Sequence, residues 1–84
     1  GVAIKFTDYL RNRGFDVLEM GNYKSFEVEE TLVVDRSGKI EDAKKVASAL
    51  GVDSKNIIQQ VSKDSYLDCS VIIGKDYNNL KPMK

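Results

Sequence analysis

Histidine and tryptophan are absent from these 84 residues, cysteine and proline occur once each, and 13 Lys and Arg are matched by 13 Asp and Glu. Each shortage removes a class of function. Without histidine there is no Ser-His or Cys-His nucleophile pair, and the commonest metal ligand is missing. Cys69 alone forms no disulfide within the chain and supplies no zinc site by itself. The balanced charge gives no long-range pull towards nucleic acid or an anionic membrane, so no nucleic-acid partner is expected. The longest apolar runs, Leu32 to Val34 and Val71 to Ile73, fall far short of the roughly 20 residues that cross a bilayer, and no membrane span is expected in this segment. The opening Gly1-Val-Ala-Ile-Lys-Phe6 has neither the basic start nor the apolar stretch of a secretory signal and reads as the beginning of a domain from a longer chain.

What is present is the composition of one ordinary globular domain, 42% hydrophobic and 31% charged. A chain this short buries only about 60% of its unfolded surface, so its core must be thin. Val2, Phe6, Tyr9 and Leu10 fall at helical spacing within residues 2–13, and Gly14 followed by Phe15 is a helix stop with its hydrophobic contact. Residues 16–20 read as a strand, Gly21-Asn22 as a break, and 23–30 as a polar stretch. The β-branched Thr31-Leu-Val-Val-Asp35 is the expected central strand.

Arg36-Ser-Gly-Lys39 turns into a second helix striped by Ile40, Ala43, Val46, Ala47 and Leu50, with Glu41 and Asp42 at its positive end and Gly51 as its stop. Residues 56–61 and 68–73 read as two further strands, and 78–84 as a flexible tail beyond a domain of residues 1–77. The expected fold is therefore α+β, a two-layer sandwich in which two helices pack on one face of a small mixed sheet in the order αββαββ. Tyr9 to Asp16 and Val46 to Asp53 share a pattern of helix end, glycine, apolar residue, aspartate and strand.

Candidate chemistry is sparse. Glu27, Glu29 and Glu30 cluster ahead of the central strand, where a carboxylate pair could act as acid and base, but a solvated approach segment explains them more simply. Asp35-Arg36 ends a strand where open α/β sheets often bind ligands, and a surface ion pair or turn cap is the plainer reading. Tyr9, Tyr23, Phe26, Tyr66 and Tyr77 do not alternate with basic residues as a single-strand nucleic-acid platform requires. Cys69 is expected to be buried and inert. Gly74-Lys-Asp-Tyr77 is not a phosphate loop, because Cys69 stands six positions before Lys75, Asp76 replaces the hydroxyl and a strand precedes Gly74 directly. Gly74 is expected to permit a bend or bulge, Lys75 and Asp76 to face water, and Tyr77 to cover a sheet edge.

Five segments in order carry a resemblance: Asp8-Tyr-Leu-Arg-Asn-Arg-Gly-Phe-Asp-Val17, the Gly21-Asn22 break, Thr31-Leu-Val-Val-Asp-Arg-Ser-Gly38, Ala43-Lys-Lys-Val-Ala47 with Leu50-Gly51, and Val71-Ile-Ile-Gly-Lys-Asp-Tyr77. Over residues 1–77 the chain resembles the LytR C-terminal domain, an accessory module that follows the catalytic domain of many LytR-CpsA-Psr cell-envelope proteins. The family usually begins with a strand ending in Asn-Gly-Ser/Thr-Gly, ahead of the Gly-Val-Ala that opens this chain. That strand is missing here, and an open sheet edge would favour association, including a homo-oligomer.

The resemblance implies an extracytoplasmic, envelope-associated location and no catalysis, since glycopolymer transfer belongs to the separate catalytic domain. The expected function is a non-enzymatic binding domain without cofactor or metal, its partner a cell-wall glycopolymer or an envelope protein. The alternative is an assembly module that oligomerises by strand pairing. If a glycan binds, Tyr23 and Tyr77 would stack on sugar faces while Asn22, Lys75 and Asp76 supply hydrogen bonds.

Overall fold

Two glycines in the left-handed region, Gly14 at φ 86° and Gly51 at φ 84°, end the two helices. The computed structural model describes residues 1–15, 19–22, 28–61, 63 and 68–84, and of Glu19, Gly21 and Asn22 the backbone alone. Helix α1 spans Val2–Arg11, strand β1 Glu19–Asn22, β2 Leu32–Asp35, α2 Ile40–Leu50, β3 Ile57–Gln59 and β4 Cys69–Ile73. Short 3-10 turns cover Ser54–Asn56, Lys75–Asn79 and Lys81–Met83. The expected order αββαββ is the observed one.

Both helices terminate by the same bonding. Phe15 N–H donates to the Leu10 carbonyl and Gly14 N–H to the Arg11 carbonyl, each at 3.0 Å. At the end of α2, Val52 N–H reaches the Ala47 carbonyl at 2.8 Å and Gly51 N–H the Ser48 carbonyl at 3.3 Å. These paired bonds satisfy carbonyls that the last helical turn leaves open, and they need a residue at positive φ between them. The shared pattern noted in the sequence is thus the imprint of one terminating geometry used twice.

The sheet order is β1-β4-β2-β3, with β2 and β4 in the middle. β1 runs parallel to β4, β3 runs parallel to β2, and the central pair is antiparallel. The expectation of a central strand at residues 31–35 is met. One expectation needs correcting: Gly21 and Asn22 do not break the strand but belong to β1, paired with Ile72 and Ile73. An end strand needs only one row of ladder bonds and tolerates glycine better than an interior one. The readings at residues 16–18, 23–27, 62 and 64–67 lie outside the described residues.

Strand side chains alternate between faces, so register assigns the layers. Met20 pairs with Val71, Val71 with Val33, and Val33 with Ile57, which puts all four on one face. That face meets Phe6 and Leu10 of α1 and Ala43, Val46, Ala47 and Leu50 of α2 in a single core. Two helices therefore cover one side of a mixed sheet. Where the sequence suggests a tail, Leu80 is only 5% exposed and inserts into the same core, and the turn Lys81–Met83 packs against both helices.

Candidate functional site

Because β1 and β4 are parallel and Asn22 pairs with Ile73, the carboxyl ends of both strands emerge side by side. This places the backbone of Asn22, one part of the expected site, beside Ile73, at the end of the sheet from which Gly74 leaves β4. Tyr23 lies outside the described residues, and the Asn22 side chain is likewise not described.

The remaining part is held by the stretch leading into β2. Thr31, fully buried, donates its backbone N–H to Asp76 Oδ1 at 2.9 Å and its hydroxyl to the same oxygen at 2.7 Å. The Thr31 hydroxyl oxygen in turn accepts the Gly74 N–H at 3.0 Å, and the Lys75 N–H donates to the Val28 carbonyl at 2.9 Å. Lys75 Nζ reaches Glu29 Oε1 at 3.1 Å on the exposed rim. Gly74 thus serves close approach rather than a bulge. A Cβ there would fall 2.6 Å from the Glu30 carbonyl carbon and 2.8 Å from the Thr31 nitrogen.

Asp76 departs from the expectation that it faces water: it is half-buried and turned onto Thr31. Hydrogen bonds to a carboxylate oxygen are charge-assisted and stronger than those between neutral groups. Lys75 is exposed as expected, while Tyr77 is half-buried and packs against the core. The Gly-Lys-Asp-Tyr ending is therefore a clasp that fastens the end of β4 to the entry of β2. Thr31, its centre, is the residue sequence reasoning read only as part of a strand. Its partner lies 45 positions away, and no local pattern signals such a pairing.

The other end of the sheet holds the second candidate. Asp35 is fully buried; its Oδ1 accepts from Ser37 N–H at 3.0 Å, the Ser37 hydroxyl at 3.2 Å and Gly38 N–H at 3.1 Å. Its Oδ2 accepts from Gln59 Nε2 at 3.0 Å. Burial by itself would raise this carboxyl's pKa, but the bonds from Gln59, Ser37 and Gly38 outweigh it and hold the pKa below the ordinary 3.8. Arg36 turns to the opposite face of the sheet, with Nε on Ser70 Oγ and Nη1 on Gln60 Oε1, both at 3.2 Å. Asp35 thus closes the turn to Ser37 and Gly38, as the turn-cap reading expects, and Arg36 forms no ion pair with it.

Cys69, in register with Asp35, is a buried thiol pushed up to about 11, first by burial and then by the charges of Asp35, Asp42 and Asp68. Such a thiol is inert near neutral pH. Of the acidic cluster, Glu29 pairs with Lys75, and Glu30 contacts Lys55 at 3.6 Å and accepts from Asn56 Nδ2 at 2.7 Å; Glu27 lies outside the described residues. Among the described residues no group of three or more His, Cys, Asp and Glu is placed to hold a metal ion, and no helix is long and apolar enough to cross a membrane.

Comparison with known proteins places these observations in a family context. A family model described as "LytR cell envelope-related transcriptional attenuator" matches residues 1–77. No curated protein and no solved structure matches the chain.

Proposed function

The chain belongs to the LytR C-terminal domain family, an accessory domain of cell-envelope proteins, and on that premise we propose that it is an extracytoplasmic, non-enzymatic interaction domain that binds a wall glycan or an envelope protein. The observation that carries the reading is the family match over residues 1–77. The state of the buried reactive groups supports the non-enzymatic part. A general base works best with a pKa near the operating pH and a nucleophilic cysteine as a thiolate, whereas Asp35 is held down and Cys69 up.

The contact site proposed for the ligand is the end of the sheet where β1 and β4 finish. Exposed Lys75 supplies hydrogen bonds there beside half-buried Tyr77, and Asn22 and Tyr23 enter the proposal from the sequence, as a further hydrogen-bonding group and a ring of the kind that stacks on sugars. Asp76 acts at this site through Thr31, by fixing the loop that carries Lys75 and Tyr77. Sedimentation of the protein with purified peptidoglycan and wall glycopolymers at low salt tests the reading. Saturable retention that weakens in Tyr23→Ala and Lys75→Ala, with the glycan recovered chemically unchanged, is the expected result; no saturable retention counts against the glycan version.

Among the described residues the end strands β1 and β3 each have one partner in the sheet, which favours a second reading, an assembly module that oligomerises by strand pairing. Sedimentation velocity over a range of protein concentrations separates the two readings: a constant monomer mass counts against assembly.

A further inference from the structure

Sheet edges are ordinarily protected against pairing by charged residues, proline or bulges. The run Ile57-Ile-Gln-Gln-Val61, which forms β3 at one end of the sheet and continues just past it, contains no charge, no proline and no glycine. The other end strand, β1, contains Glu19 and is weakened by Gly21. Beside β3 the flanking charges are Lys55 and Lys63, and Lys55 is matched by Glu30 at 3.6 Å.

The backbone groups that this edge leaves open follow from its pairing with β2. Gln60 N–H donates to the Asp35 carbonyl at 2.9 Å, and consecutive residues of a strand direct their backbone groups to opposite sides. Ile58 and Gln60 therefore face β2, and Ile57 and Gln59 face outward. Ile57 N–H is taken by the Ser54 carbonyl, which leaves the Ile57 carbonyl and both groups of Gln59 without a partner among the described residues. Apolar side chains accompany them: Val61 is 62% exposed and Ile58 36%, while Ile57 is half-buried against the core.

We propose that the free edge of β3 docks a second copy of this chain, antiparallel, with the two-fold axis at Gln59. The inference deepens the assembly reading above and rests on it. In that register Gln59 exchanges both backbone bonds with Gln59 of the other copy, and the Ile57 carbonyl meets Val61 N–H. The side chains are then complementary to the same run read in reverse: Ile57 covers Val61 on one face, Ile58 lies beside Gln60 on the other, and no two charges meet along residues 57–61. This self-complementarity selects a second copy over an unrelated strand, and a contact of this kind closes at two copies. Antiparallel pairing keeps the helices of both copies on one side of the doubled four-stranded sheet.

Sedimentation velocity over a range of protein concentrations is expected to show a monomer–dimer equilibrium. Ile58→Lys puts a charge on the edge of each copy and should weaken the dimer by about tenfold or more. Ile4→Lys makes the same exchange at a site on α1 that is 64% exposed and should change it less than about twofold. Unaltered melting curves of dilute protein establish that both variants fold. An equimolar mixture of Ile58→Cys and Gln60→Cys in a glutathione buffer reads the register independently. The two positions form a non-hydrogen-bonded pair with Cα atoms about 4.5 Å apart, close enough for a disulfide, so the mixture should cross-link while neither variant does so alone. Cys69 is buried and does not compete. A constant monomer mass overturns this proposal and the assembly reading together. A dimer left intact by Ile58→Lys, equal losses in the two lysine variants, no cross-link in the mixture, or cross-linking of either cysteine variant alone overturns the proposal while leaving the assembly reading standing.

Discussion

A methyl group has no room at position 74. Its Cβ would lie 2.6 Å from backbone carbon and 2.9 Å from the carbonyl oxygen of Glu30, and backbone cannot rotate aside as a side chain can. Gly74→Ala is therefore expected to push β4 from the entry of β2 and cost about 2 kcal/mol or more, read as a lower midpoint in urea. The φ of −100° at Gly74 is one that any residue adopts, so the loss measures crowding and not backbone preference. Asp35 supplies a second residue-level prediction. Its folded pKa lies below the ordinary 3.8, so the carboxylate adds stability above that value and loses it as pH falls through the lower folded one. Wild type should lose stability across that acid window, and Asp35→Asn, less stable at neutral pH, should lose less across it. Parallel acid titrations of the two proteins would show that Asp35 is not the group responsible.

The two helix stops allow conformational cost to be separated from contact. A Cβ at Gly14 meets nothing within 4 Å, whereas one at Gly51 meets Lys81 Cγ at 3.4 Å. Gly14→Ala should cost about 1 to 2 kcal/mol from the left-handed backbone alone. Gly51→Ala incurs the same backbone cost and sets its Cβ in ordinary contact with the Lys81 stem, so its midpoint should fall no further than that of Gly14→Ala; a larger loss at Gly51 would mean that the stem is displaced. These elements were readable in the sequence because their signals are local: an apolar stripe, a glycine and an apolar residue after it all lie within about two turns. The clasp was not readable, since Thr31 and Asp76 are joined only once β2 and β4 pair. Gly21-Asn22 misled for a related reason, as residues that usually signal a turn were accommodated in an end strand by pairing with β4.

Taken as a whole, the molecule depends on a segment that hydropathy alone passes over. Residues 78–84 contain Leu80 as their one strongly apolar aliphatic, flanked by Asn78, Asn79, Lys81 and Pro82, and nothing in that composition predicts burial. Its environment decides otherwise: the 3-10 turn after the clasp aims Leu80 into the core shared by α1, α2 and the sheet, with half-buried Met83 packed beside it. The clasp and the tail are thus coupled, because Asp76 fixes the turn from which Leu80 departs. Leu80→Ala should cost about 2 to 4 kcal/mol, which for a domain of this size lowers Tm by about 10 °C or more. Removing residues 78–84 should lower it at least as far, although the family match ends at residue 77. Asp76→Ala should loosen the same corner, and combined with Leu80→Ala it should cost less than the two separate losses together, since a core side chain already removed cannot be lost again. A shortened chain that melts at the wild-type temperature would show that the carboxyl-terminal turn lies on the domain without holding it together, and strictly additive losses would show that clasp and turn act independently.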